Sequence, residues 1–118
     1  MGKIQNRTGR TFENEWVEYL SKKGYWVYNL PTGLGQPCDV IAVKKNITNF
    51  YECKTSKTDK FDTKRLEANQ ITASNFIKSC GNDNYFVVIK FKSGICMFSI
   101  DDIKNKKEVI FNELHCVK

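Results

Sequence analysis

The sequence predicts an α/β fold: a mixed β-sheet with helices packed against it, in the order α-β-β-β-α-β-β. Three observations carry this. Apolar residues recur at helical spacing over residues 10–23, and again up to Cys80. Short runs rich in β-branched and aromatic residues alternate with Gly, Pro and Asn punctuation. A nearly continuous apolar run at residues 85–91 reads as a central strand buried on both faces.

In the first helix, residues 10–23, Phe12, Trp16, Val17, Tyr19 and Leu20 share one arc, and Gly24 is a natural C-terminal stop. Residues 25–30 form a strand. Two prolines and two glycines make residues 31–37 a loop. Residues 39–43 and 49–55 are strands joined by a turn at Lys44, Lys45 and Asn46, a hairpin pattern. Asp62 or Thr63 is placed to cap a second helix that runs to about Cys80, with Leu66, Ala73, Phe76, Ile77 and Cys80 inward. The strand at 85–91 follows, then a turn at 92–94 and a last strand at 95–100. Asp101 is placed to cap a short helical turn, and the remaining residues give no clear pattern.

With 118 residues the chain has room for one domain, taken as residues 1–118, whose basic first nine residues read as a flexible arm. It shows no internal repeat or low-complexity segment, no apolar stretch near the roughly 20 residues of a membrane helix, and no signal-peptide core. A soluble, cytoplasmic protein without membrane partners is expected. Five cysteines without a CxxC pair argue against a disulfide framework and a structural zinc site, and a single histidine against a histidine-based triad. The net charge of +6 suits a polyanionic partner, or is simply a basic solvated surface.

The informative residues break the apolar pattern. Glu13 lies inside the apolar arc of the first helix, whereas Glu15 and Glu18 point away. Glu52 and Lys54 project from one face of their strand and Cys53 from the other. Asp39 opens the neighbouring strand, within reach of Glu52, and Gln70 sits at the edge of the second helix's stripe. Singly, each has an ordinary reading: Glu13 can reach water from the arc's edge, and Glu52 with Lys54 can be a solvated sheet face. Together they have one explanation, oxygen ligands converging at a sheet end around a hard divalent cation such as Mg²⁺. Such a site suits phosphodiester hydrolysis, with Lys54 positioning water or stabilising charge in the transition state. Lys57, Lys60, Lys64 and Arg65 cluster beside this site, and Lys3, Arg7 and Arg10 precede or open the first helix. Both groups either track phosphates or are solvated charges. Phe61 either stacks on unpaired bases or packs in the fold.

Asp39, followed after a turn by Glu52-Cys53-Lys54 as an ExK motif and preceded by a helix carrying Glu13, resembles the PD-(D/E)XK nuclease superfamily. Gly9-Arg10-x-x-Glu13, Gly24-Tyr25-Trp26-Val27 and Asp39-Val40-Ile41-Ala42 narrow the resemblance to Holliday junction resolvases, both archaeal-type and phage RecU-like, over residues 7–100. Cys38 stands where the superfamily name has proline.

The resemblance implies a restriction-endonuclease-like αβββαβ core. It implies Mg²⁺, for which Mn²⁺ can substitute, held by a set drawn from Glu13, Asp39, Glu52 and Cys53, with Lys54 catalytic and Gln70 contributing. It also implies a homodimer that resolves four-way DNA junctions by paired symmetric nicks. The other readings are a restriction- or repair-type nuclease on this fold, and a catalytically silent DNA-binding module.

Overall fold

The computed structural model describes residues 7–31 and 35–117, with side chains from residue 11 onward. The first helix, α1 (Arg7–Lys22), begins earlier than the apolar pattern suggests. Phe12, Trp16 and Leu20, spaced by four, form its buried stripe. Gly24 ends it at φ +92°. The amide of Tyr25 donates to the Leu20 carbonyl and that of Gly24 to the Ser21 carbonyl, a Schellman closure that turns the chain into the sheet.

Strand β1 (Trp26–Asn29) pairs antiparallel with β2 (Val40–Lys44), and β2 with β3 (Ile47–Thr55). Lys45 and Asn46, both at positive φ, make the tight hairpin turn between β2 and β3. β3 then runs parallel to β5 (Tyr85–Lys90), which pairs antiparallel with β6 (Ile95–Ser99). The five-stranded mixed sheet has the order β1-β2-β3-β5-β6. The run at 85–91 is central as expected, and Val87, Val88 and Ile89 are fully buried.

The region between β3 and β5 departs from the sequence reading. Residues 60–62 form a strand, β4 (Lys60–Asp62), paired with β7 (Glu108–Ile110) from the segment that gave no pattern. Pairing keeps the chain extended there, so Asp62 caps a 3-10 turn (Thr63–Arg65) by accepting from the Lys64 amide, rather than the second helix. Helix α2 (Ala68–Ser79) starts later, with Glu67 at its cap position. Leu66 is buried ahead of the helix, and the inward face of α2 carries Gln70, Ile71, Ser74 and Ile77. Phe76 and Cys80, expected inward, are exposed, because the late start sets a different helical phase. The short helix α3 (Ile100–Ile103) has Ser99 at its cap position. Asp101 lies within its first turn, bound to Lys78 at 2.8 Å and Lys104 at 2.9 Å.

Alternation along the strands divides the core between the two sheet faces. One cluster joins Phe12, Trp16 and Leu20 of α1 to Val40, Ala42, Tyr51, Cys53 and Val88. The other packs Tyr85, Val87 and Ile89 with Cys38, Phe61 and Leu66, with Ile71 and Ile77 of α2 against it. Phe61 is therefore a packing residue, with the Arg65 guanidinium 4.9 Å over its ring. Among the described residues no helix is long and apolar enough to cross a membrane.

Candidate active site

Asp39 is fixed by backbone on both sides at the entrance to β2. Its amide donates to the Tyr51 carbonyl and its carbonyl accepts from Leu30, each at 2.9 Å. The carboxylate crosses to β3, where Oδ2 accepts from the Cys53 amide at 2.8 Å. The hairpin thus holds Asp39 against the strand segment that carries the ExK residues.

Glu52 points to the α2 face and is only 3% exposed. Its Oε2 lies 3.3 Å from the Lys54 ammonium, itself largely buried. Oε1 is buried and receives no hydrogen bond from any described donor. Glu52 and Asp39 perturb each other's ionisation across the hairpin. Two neighbouring carboxyl groups repel when both are charged, and the environment favours the proton on Glu52. Burial first, then the Asp39 charge, push Glu52 up to about 8, although Lys54 pulls the other way. Burial also raises Asp39, opposed chiefly by the Cys53 amide.

The structure therefore brings Asp39, Glu52 and Lys54 together as the sequence predicts. Two neighbouring carboxyls, Glu52 buried and Asp39 half-buried, form an oxygen site that a hard cation fits. A cation would replace the proton, relieve the repulsion and supply the partner that Oε1 lacks. Among the described residues no group of three His, Cys, Asp or Glu side chains forms a ready-made metal cage. The core of the site is a pair.

The other predicted residues border this pair. Glu13, half-buried on α1, acts from the opposite sheet face, where its charge raises the Cys53 thiol behind burial and Asp39. The Cys53 side chain lies in the α1-side cluster, turned away from the pair, while its amide holds Asp39. Gln70 is buried on the same face as Glu52 but engaged with Glu67: Oε1 accepts from the Glu67 amide at 3.0 Å, and Nε2 donates to Glu67 Oε1 at 3.4 Å. Cys38, in the position of the motif's proline, is a neutral packing thiol pushed up to about 12 by burial, then by Glu52 and Asp39.

The sequence reading missed Glu67, whose carboxylate raises Asp39. Its signal was present as an acid three residues before Gln70, the reciprocal spacing of a helix-capping pair. It also missed Tyr85, buried at the start of β5, whose hydroxyl donates to the Pro37 carbonyl and is raised by burial and by the charge of Glu52.

Lys57, Lys60, Lys64 and Arg65 are all exposed. Arg65 donates to the Thr55 carbonyl at 2.7 Å, tying the 3-10 turn to the end of β3. Lys60 and Lys64 line an open depression of about 430 Å³ with Asp62, Glu108 and Lys107, the last of which the sequence reading passed over. Lys3 lies outside the described residues, as do the side chains of Arg7 and Arg10.

The fold is similar to that of Hjc from the archaeal hyperthermophile Archaeoglobus fulgidus, a Holliday junction resolvase. The TM-score is 0.67 at 20% identity, covering 92% of this chain and 87% of that one. It is also similar to the bacterial homing endonuclease I-Ssp6803I, with a TM-score of 0.60 at 20% identity, covering 89% and 72%. No curated protein sequence matches the chain. Residues 4–115 match the family model of the archaeal Holliday junction resolvases, Hjc. With this match spanning nearly its whole length, the chain belongs to the archaeal Holliday junction resolvase family, a family of junction-resolving nucleases.

Proposed function

We propose that this protein is a divalent-metal-dependent endonuclease that resolves four-way DNA junctions by paired nicks, acting as a homodimer. The observation that carries the proposal is the coupled Asp39–Glu52 pair, with Glu52 buried and Lys54 3.3 Å from it. A buried carboxyl beside a second acid is costly unless a cation is to sit on them.

Asp39 and Glu52 hold the ion, Mg²⁺ or Mn²⁺, which supplies Lewis acidity towards a phosphodiester. The Cys53 amide keeps the Asp39 carboxylate in place when the proton leaves Glu52. The Lys54 ammonium stands beside the pair, where it stabilises negative charge developing on the phosphate. Glu13 supports the site from the α1 face, and Gln70 fixes the end of α2 next to it. Lys57, Lys60, Lys64 and Arg65, with Lys3, Arg7 and Arg10 at the start of the chain, follow the phosphate backbone. Two opposed nicks need two sites at fixed separation, which a two-fold dimer provides.

A labelled immobile junction incubated with Mg²⁺ should be nicked symmetrically, and Glu52→Gln and Lys54→Ala should each abolish the products. Equal cutting of linear duplex would replace the junction assignment with that of a general nuclease of this fold. Calorimetry that finds no Mg²⁺ or Mn²⁺ binding at pH 8.5, above the Glu52 titration near 8, would leave a DNA-binding module without catalysis.

A further inference from the structure

On the sheet face opposite Glu52, at the far end of α1, lies a second concavity of about 510 Å³, within the size range of small-ligand pockets. Leu20, Met97 and the segment from Leu114 to Val117 form one side of it, and the other side is aromatic. Trp16 and Tyr19 stack with ring centroids 5.0 Å apart, Trp16 meets Tyr51 edge-on at 5.4 Å, and Tyr25 completes the surface. Two ammonium groups stand at these rings: Lys23 lies 5.4 Å from the Tyr19 centroid and Lys44 5.2 Å from that of Tyr25. The Lys44 ammonium also donates to the Lys23 carbonyl, which fixes it at the mouth. No Asp or Glu lines the pocket, so nothing within it opposes the two cations. The indole Nε1 of Trp16 is buried without a hydrogen-bond partner.

A wall of π-faces with two unopposed cations is complementary to a planar aromatic group that carries a negative charge. The Lys23 and Lys44 ammoniums cover these ring faces, so a base stacks there by taking their place while they turn to its phosphate. Lys44 closes the strand that Asp39 precedes, five residues on, so the pocket is about 16 Å along the sheet from the carboxylate pair. It is a separate place on the molecule and depends on no reading of that pair.

We propose that this pocket binds a nucleotide unit, with the base stacked on Tyr19 and Tyr25 and the phosphate held by Lys23 and Lys44. The unit is either a free mononucleotide or an unpaired nucleotide of a DNA strand. In a basic chain of a DNA-processing family, such a pocket lets the face away from the scissile phosphate grip a frayed or unpaired end.

The chain has two tryptophans, so Trp26→Phe leaves Trp16 as the sole reporter inside the pocket. In EDTA, its emission should change saturably on titration with dAMP or with a short oligothymidylate. A response to both points to a free nucleotide unit, and a response to the oligonucleotide alone to a unit within a strand. Lys23→Gln with Lys44→Gln should weaken that binding about tenfold or more while leaving the circular dichroism unchanged. The proposal is overturned if neither probe produces a saturable change. It is equally overturned if the lysine variants bind as well as the parent, or if deoxyadenosine or inorganic phosphate alone binds as tightly as dAMP. Junction nicking by the lysine variants in Mg²⁺ reports on the carboxylate pair separately, so the two readings can fail independently.

Discussion

The proton on Glu52 makes the stability of the metal-free protein depend on pH in a direction opposite to ordinary acid denaturation. An unfolded chain returns Glu52 to its usual 4.5, whereas the folded protein holds it near 8. Between these values the native state binds a proton that the unfolded state has lost, so stability falls as pH rises. The contribution is fully present below 4.5 and is gone above about 8. That interval, at about 1.36 kcal/mol per pH unit, is on the order of 5 kcal/mol, a large part of the 5–15 kcal/mol typical of whole domains. Asp39, also raised by burial, adds to the same trend. Asp101 runs the other way, but it is lowered by Lys78 and Lys104 and acts only in more acid solution.

The assay is chemical denaturation in EDTA from pH 5 to pH 8.5. The unmodified protein should lose stability across the window, and Glu52→Gln, which cannot ionise, should lose far less. Adding Mg²⁺ should restore stability at pH 8.5 and do little at pH 5, because the ion and the proton compete for one site. A flat profile for the unmodified protein, or an equal slope in Glu52→Gln, would refute the assignment of the proton to Glu52.

Three further outcomes are expected. Ile89→Ala, in the fully buried central strand, should destabilise the fold by about 2–5 kcal/mol in the same denaturation assay; a smaller loss would mean that β5 is less central than the sheet order implies. Lys60→Gln with Lys64→Gln should reduce the slope of log affinity against log salt for junction DNA by roughly 0.9 for each phosphate that is no longer neutralised, read from binding titrations at several salt concentrations. An unchanged slope would return these lysines to solvated surface. Cys96 and Cys116 face each other in an antiparallel bridge whose flanking bond, the Val117 amide to the Ile95 carbonyl, marks the closely spaced, non-hydrogen-bonded type of pair. With glutathione disulfide as oxidant, these two thiols should form an intramolecular disulfide and release two reduced glutathiones. Alkylation under denaturing conditions would then find three reactive thiols of the five; five would rule the bridge out.

The positions that sequence reading located well are those governed by short-range rules. Strand alternation puts Glu52 and Lys54 on one face, and the tight turn at Lys45 and Asn46 folds Asp39 back towards them. The central strand at 85–91 was legible because only a strand covered on both faces tolerates so continuous an apolar run. The phase of α2 was not legible. It depends on β4 pairing with β7, a pairing between segments more than forty residues apart that holds residues 60–62 extended and delays the helix. Nothing local to residues 60–68 encodes that partner.

By itself, then, the sequence determined the order of the main elements, the acid–acid–lysine set and the basic character of the chain. Each of these follows from composition and from the two- and 3.6-residue periods of the backbone. Only the tertiary structure decided the proton affinity of those acids. The burial of Glu52 beneath α2, its coupling to Asp39 and the engagement of Gln70 by Glu67 are set only by tertiary packing. Proton affinity follows the dielectric surroundings and the distance between charges, and both are set only when the distant elements have packed.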